Sequence, residues 1–227
     1  MSHIQIAIDG PSGAGKSSLS KAVAKAMGII YVDTGALYRT VGYFARSKGI
    51  ALDNISALVP LLGEITIEVR YENGIQCVYL NGENLGDRIR ENEISMYASK
   101  VSAIPEVRAF LLDTQKDIAR KNSVIMDGRD IGTVILPDAD VKIFLTASNE
   151  VRARRRVKEL AEKGMPASYE EVLADMNKRD EQDRNRDIAP AIAAPDAIHF
   201  DNSYEGFDEA LEALLTVIRN ALLSKNQ

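Results

Sequence analysis

Residues 4–17 read Ile4-Gln5-Ile6-Ala7-Ile8-Asp9-Gly10-Pro11-Ser12-Gly13-Ala14-Gly15-Lys16-Ser17. Ile4, Ile6 and Ile8 with Ala7 between them predict a short buried strand, which the Gly/Pro/Ser cluster at 10–15 ends. From Ser17 onward, Leu19, Val23, Ala26 and Met27 recur at helical spacing up to Gly28, a C-terminal cap. The segment GPSGAGKS at 10–17 therefore sits between a strand and a helix, and it matches G-x-x-x-x-G-K-[ST] in full. In that context Gly10, Gly13 and Gly15 let successive backbone N–H groups turn onto phosphate oxygens, with the helix dipole behind them. Lys16 brings a point charge to the β and γ phosphates, and the Ser17 hydroxyl is a hard oxygen ligand for Mg²⁺.

Outward from this loop the elements alternate. Strands are predicted over Ile29–Val32, Val124–Met126, Val141–Leu145 and near Ala197–Phe200. Helices are predicted over Ala36–Arg46, near 91–103, from Pro105 to about Arg120, and from Phe207 to Leu223. Two more follow Leu145: a basic helix capped by Ser148 and closed by Gly164, and a charged helix opened by the Ser168/Glu171 capping box and running to about Arg186. The expected fold is α/β, a parallel-sheet P-loop NTPase core in three α/β/α layers. Ile65, Ile67, Val69 and Tyr71 break the rhythm by alternating with polar residues, and Asn73-Gly74 then precedes GIQCVYLNG, a hairpin signal. A small antiparallel insert is expected over 63–98, with the core at 1–62 and 99–227, including a short lid at about 152–166.

Composition narrows the function classes. Of 227 residues, 45% are hydrophobic and 27% charged, which suits a soluble globular chain rather than a disordered one. With 28 Lys and Arg against 33 Asp and Glu the formal charge is −5, too acidic for a general nucleic-acid binder. The single cysteine, Cys77, excludes an internal disulfide and a cysteine zinc site, and His3 and His199 have no ligand spacing. With neither a long apolar run nor a signal-like start, a cytoplasmic protein without membrane contact is expected, and a monomer.

Several side chains are placed at the ligand-binding edge of such a sheet. Asp127, in VIMDG at 124–128, ends an apolar strand where a contact to Mg²⁺ is usual. Thr34 lies at a strand-to-helix turn, with Arg39 about one turn into the helix, and GRDIG at 128–132 adds Arg129 and Asp130. Arg179, Asp183 and Arg186 stand at i, i+4 and i+7; spacing alone allows either a solvated salt-bridged face or a phosphate clamp with an aspartate between two arginines. Asn177-Lys178-Arg179-Asp180 spells NKxD, the guanine-reading motif, but inside a helical pattern instead of after a strand, and is read as a decoy. The run Arg152 to Arg156 is either a solvated helix face or a movable basic cover for a triphosphate.

GPSGAGKSS, DTGALYR, DGRDIGTVILPDADVKIFL and RDEQDRNR, in that order, closely resemble bacterial cytidylate kinases of the nucleoside monophosphate kinase group, and the similarity spans nearly the whole chain. The resemblance implies a monophosphate-binding insert at the hairpin, an arginine-bearing lid at the basic helix and a place in pyrimidine nucleotide metabolism. It implies that Gly10, Pro11, Ser12, Gly13, Ala14, Gly15, Lys16, Ser17 and Ser18 hold ATP. Arg155 is assigned to ATP among the adjacent Arg154, Arg155 and Arg156. Thr34, Arg39, Arg129 and Arg186 would meet the acceptor phosphate, and Arg179 and Asp183 the ribose. Ser99, Arg108 and Asp130 would read cytosine, whose amino donor suits a carboxylate and whose N3 and O2 acceptors suit Arg and Ser.

The expected reaction is transfer of the ATP γ-phosphoryl group to CMP or dCMP, with Lys16, Arg129, Arg186 and Asp127 as the catalytic set. The acceptor oxygen is already anionic near neutral pH, so no general base is needed, and catalysis rests on alignment and charge cancellation. Two rivals remain at this point: a kinase for another small acceptor such as UMP, AMP or shikimate, and a P-loop switch. The arginines beyond the loop disfavour a switch, which has no second anion to hold.

Overall fold

A computed structural model describes residues 3–72, 74–162, 164–203 and 206–225; Asn73 of the expected hairpin turn lies outside the described residues. The chain divides into two compact units, Met1–Tyr31 with Asn122–Gln227, and Val32–Lys121. The antiparallel segment expected over 63–98 falls within the second unit, which begins earlier and ends later because flanking helices join its core.

The first unit is built on β1 (Gln5–Asp9), α1 (Lys16–Met27) and β2 (Ile30–Asp33), inside which the unit boundary falls. In it, β6 (Val124–Gly128) and β7 (Val141–Thr146) follow, in the numbering of the whole chain. The helices α5 (Asn149–Glu162) and α6 (Tyr169–Arg184), the strand β8 (Ile198–Asp201) and α7 (Phe207–Lys225) complete the unit. The strand order is β2-β6-β1-β7-β8. β1 runs parallel to β6, from Gln5 opposite Val124 to Asp9 opposite Gly128, and parallel to β7 on its other side. A strand enclosed in this way is apolar on both faces, which is why Ile6, Ala7 and Ile8 are all 0% exposed. Ile6 and Ile8 pack with Leu19 and Val23 of α1 and Leu214 of α7. Burial of each such isoleucine contributes about 1.5–3 kcal/mol. The register has a functional consequence: it sets the loop after β1 beside Asp127 and Arg129 at the carboxyl ends of the strands, where ligands bind in open α/β sheets.

α1 begins on Gly15 in the left-handed conformation and stops at Gly28, φ 66°, whose N–H donates to the Ala24 carbonyl, so the glycine cap is the one expected. The Ser168/Glu171 capping box likewise opens α6. Among the described residues, no helix is long and apolar enough to cross a membrane.

The second unit carries α2 (Thr34–Ser47), a 3₁₀ stretch (Leu52–Glu64), the antiparallel sheet β3 (Ile67–Glu72), β4 (Ile75–Leu80) and β5 (Glu83–Asn84), then α3 (Asn92–Val101) and α4 (Pro105–Lys121). Ile67 pairs with Leu80 and Val69 with Val78, and these four pack into a core shared with Leu37, Val41 and Phe44 of α2. The hairpin therefore has one buried face and one wet face, as its period-2 alternation requires.

Candidate active site

The carbonyls of the phosphate loop are taken by its own Lys16 and by two side chains from outside it. Lys16 Nζ donates to the Pro11 carbonyl at 2.7 Å, Arg152 Nη1 to the Ser12 carbonyl at 2.9 Å, and Asn202 Nδ2 to the Ala14 carbonyl at 2.9 Å. With these oxygens turned to protein donors, the amide N–H side of the loop is the side offered to an anion. Gly15 has φ 98°, and a Cβ there would stand 2.8 Å from Asn202 Nδ2, so both backbone and space require glycine.

Lys16 is 6% exposed. Burial, then the neighbouring Arg129, and more weakly Arg179, push its ammonium down to about 7, although Asp127 and Asp9 pull the other way. The folded value lies below the ordinary 10.5, so the folded state gains stability as pH rises from about 7 to 10.5. A polyphosphate restores the charge. At pH 8, ATP binding is therefore expected to take up close to one proton. Calorimetry in buffers of different ionisation enthalpy measures this; an enthalpy independent of buffer at pH 8 rejects it.

Ser17 donates its hydroxyl to Asp127 Oδ2 at 2.6 Å, and Tyr31 donates to Asp127 Oδ1 at 3.0 Å. Asp127 is 5% exposed. A hydroxyl and a buried carboxylate brought together at the mouth of the phosphate loop are the hard oxygen donors that Mg²⁺ prefers, so the residues present fit that ion. Ser18 follows within α1.

Asp9 is 3% exposed and accepts two backbone N–H bonds at 2.8 Å, from Ile131 at one oxygen and Gly132 at the other. Burial outweighs those bonds and pushes its carboxyl up to about 6. Asp9 thus couples the start of the phosphate loop to the turn that carries Arg129 and Asp130. That turn opens a π-helical segment, Ile131–Ile135, and Asp130 is 4% exposed.

Arg129 Nε donates to Asp183 Oδ2 at 3.0 Å, and Arg186 Nη1 lies 3.9 Å from Asp183 Oδ1. Burial and Arg129 also pull Arg179 below its usual value. Hence Arg129, Arg179 and Arg186 are gathered around Asp183, with Arg129 and Arg179 also acting on Lys16, and the solvated-face alternative for 179–186 does not hold. One expectation is corrected: α6 ends at Arg184 with Asn185 as its cap, so Arg186 lies beyond the helix and reaches Asp183 from the following loop. A cavity of about 530 Å³, a size usual for small-molecule sites, is lined by Pro11, Arg129, Arg152, Asp180 and Asp183 but not by Lys16, Arg179 or Arg186.

The basic run needs a second correction. Arg152 is 2% exposed and fully engaged with Ala147, Ser12, Asn149 and Asp180, so it is a strut of the loop and no part of a cover. Arg155 donates to the Asn202 and Ala14 carbonyls, Arg156 pairs with Glu159, and Arg154 is exposed. The NKxD decoy is mid-helix; its Asn177 accepts from Asn149 and its Asp180 pairs with Arg152.

In the second unit, Asp33 caps α2 by accepting from the Ala36 N–H at 2.9 Å and binds Arg39 Nη2 at 2.7 Å. Arg39 Nε is buried without a partner among the described residues. Thr34, 2% exposed, opens the helix. Ser99 lies on α3, and Arg108 on α4 donates to the Ser102 carbonyl with its guanidinium 5.8 Å from the Tyr38 ring centre.

Sequence reasoning missed Asp9, Tyr31, Asp33, Arg152 and Asn202 as supports of the site. Only Asp33 carried a local signal, an aspartate directly before a helical run.

A family model described as cytidylate kinase matches residues 6–220. A cytidylate kinase of Fervidobacterium nodosum is 48% identical over 217 residues, covering 96% of this chain and 97% of the relative. One of Flavobacterium johnsoniae is 45% identical over 227 residues, covering 98% and 99%. Among solved structures, an uncharacterized protein from Eubacterium ventriosum aligns over 96% of this chain and 99% of its own with a TM-score of 0.51 at 16% identity, a likeness of fold. With its phosphate loop, its Ser17–Asp127 pair and its arginine cluster all falling inside the matched residues, the chain belongs to the cytidylate kinase family.

Proposed function

We propose that the chain transfers the γ-phosphoryl group of ATP to CMP and dCMP, giving ADP and the corresponding diphosphate. The observation that carries this reading is the cluster of cations beside the phosphate loop, where burial first, then Arg129 and more weakly Arg179, pull the Lys16 ammonium down to about 7. Such a cluster is stable when anions enter it. The loop from Gly10 to Ser18, with Arg155 behind it, takes ATP. Ser17 and Asp127 would hold Mg²⁺, which when bound neutralises charge on the β and γ oxygens.

Arg129 and Arg186 attract the transferred group and the acceptor phosphate, while Arg179 and Asp183 serve the ribose. The second unit, with its hairpin, binds the monophosphate: Thr34 and Arg39 serve its phosphate, and Ser99 and Arg108, with Asp130, read cytosine. An acceptor oxygen forms its bond to Pγ as the bond from Pγ to the β–γ bridging oxygen breaks, and ADP leaves with that electron pair. No side chain needs to remove a proton. We further propose a cytoplasmic monomer that does not bind nucleic acid.

The test is a panel of acceptors with Mg-ATP in a coupled ADP assay. CMP and dCMP are expected to exceed UMP, AMP and shikimate by at least about tenfold in kcat/KM, about 1.4 kcal/mol of discrimination. A preference for another acceptor, or acceptor-independent hydrolysis alone, rejects the reading. In the same assay Asp130→Ala is expected to erode discrimination between CMP and UMP more than it raises the KM for ATP; unchanged discrimination removes Asp130 from the base pocket.

A further inference from the structure

We propose that Gln76 is a positioning residue for the acceptor phosphate, acting through Asp33 on Arg39; this rests on the acceptor role given to Arg39 above. Gln76 lies on β4 opposite Tyr71 of β3, two residues before Val78 and so on the face that carries Val78 and Leu80 into the core. A carboxamide on such a face is costly unless both its ends are bonded. Here both are, and by one residue. The Asp33 N–H donates to Gln76 Oε1 at 2.8 Å, and Gln76 Nε2 donates to the Asp33 carbonyl at 3.2 Å.

The side chain therefore does for Asp33 what a neighbouring strand does for a residue in a sheet. The hairpin reaches the β2–α2 turn through this double bond and pins the backbone of Asp33. Pinned there, the Asp33 carboxylate divides its oxygens between two tasks. Oδ1 caps α2 on the Ala36 N–H, and Oδ2 holds Arg39 Nη2. The guanidinium lies so close over the turn that a Cβ on Gly35 would come within 2.9 Å of Arg39 Nη1 and 3.2 Å of Asp33 Oδ1. A side chain at 35 would therefore displace the Arg39 guanidinium from the place it occupies. With one end fixed on Asp33 and its Nε buried without a partner among the described residues, the Arg39 fork takes its place from its neighbours and not from its own flexible stem. The chain of contacts runs from hairpin to carboxamide to backbone to carboxylate to guanidinium, within one unit. It gives the insert a task in catalysis: it sets the angle of an arginine fork.

Misplacing a charged fork by about an ångström weakens its ligand by one to two orders of magnitude. In the full-length protein, Gln76→Ala is expected to raise the KM for CMP about tenfold or more while the KM for ATP stays within about twofold. A residue that merely anchored the hairpin would lower the melting temperature without separating the two KM values. Gln76→Glu gives a second readout and is nearly isosteric. Ionised, it keeps the acceptor for the Asp33 N–H but turns a carboxylate oxygen onto the Asp33 carbonyl; protonated, it donates again. Its KM for CMP relative to the parent protein is therefore expected to fall as pH is lowered from 8 towards 5, which loss of packing does not produce. Equal shifts in both KM values, or a KM for CMP unchanged in both variants, overturn the proposal. If the parent protein instead favours another monophosphate, the reading of the substrate fails, and the Gln76 effect is then measured on that acceptor.

Discussion

Lys16→Ala is expected to abolish phosphoryl transfer, with turnover in a coupled ADP assay falling by about three orders of magnitude or more, or about 4 kcal/mol of transition-state stabilisation. The size follows from where the ammonium sits. It is buried and fixed to the Pro11 carbonyl, with the carboxylates of Asp9 and Asp127 among the groups that act on it. Alanine would leave the incoming triphosphate facing those carboxylates without the cation that offsets them. The same burial gives the prediction a control with the opposite sign. A lysine pulled down to about 7 carries its charge at a cost in the apo protein, so the variant is expected to melt no lower than the parent at neutral pH. Its stabilisation by added ATP should disappear. Near-normal turnover refutes the role given to Lys16; a lost ATP shift with intact turnover would separate binding from chemistry.

What could be read beforehand, and what could not, divides by sequence distance. The phosphate loop, the Gly28 cap and the Ser168/Glu171 box are decided within a few residues, by left-handed backbone or by a side chain bonding three residues along, so their patterns are visible in a window of ten. The supports of the site are joined across the chain. Asp9 meets residues 131 and 132, Arg152 meets Ser12, and Asn202 meets Ala14, and nothing local distinguishes these from any buried aspartate, basic helix or strand-end asparagine. The extent of the second unit was hidden for a related reason. The periodicity of α2 and α4 shows that each has an apolar face but not which core receives it, and Leu37, Val41, Val107 and Leu111 turn out to share theirs with the hairpin. Arg186 shows the limit from the other side. Spacing correctly joined it to Asp183, while the helix that was to carry it stops two residues short.

Arg129→Ala carries the second large effect: kcat is expected to fall by about two to three orders of magnitude, or about 3–4 kcal/mol. The guanidinium is held at Nε by Asp183 and at Nη1 by the Gly128 carbonyl at 3.2 Å, and it is the strongest charge acting on Lys16. A cation that repels the phosphate-loop lysine makes its charge costly, and on the proposed reading a phosphoryl group held by both would offset that repulsion. Loss of Arg129 should therefore raise the Lys16 value and reduce the proton uptake on ATP binding at pH 8, a readout independent of turnover. Arg129→Lys keeps the charge but cannot hold Asp183 and a phosphate oxygen with one planar fork, so it is expected to recover the electrostatic effect on Lys16 without recovering kcat. If lysine restores full turnover, charge alone is what this position supplies. If alanine leaves kcat unchanged, the Arg129–Asp183 contact is structural only, and transfer depends on Lys16 and Arg186 without it.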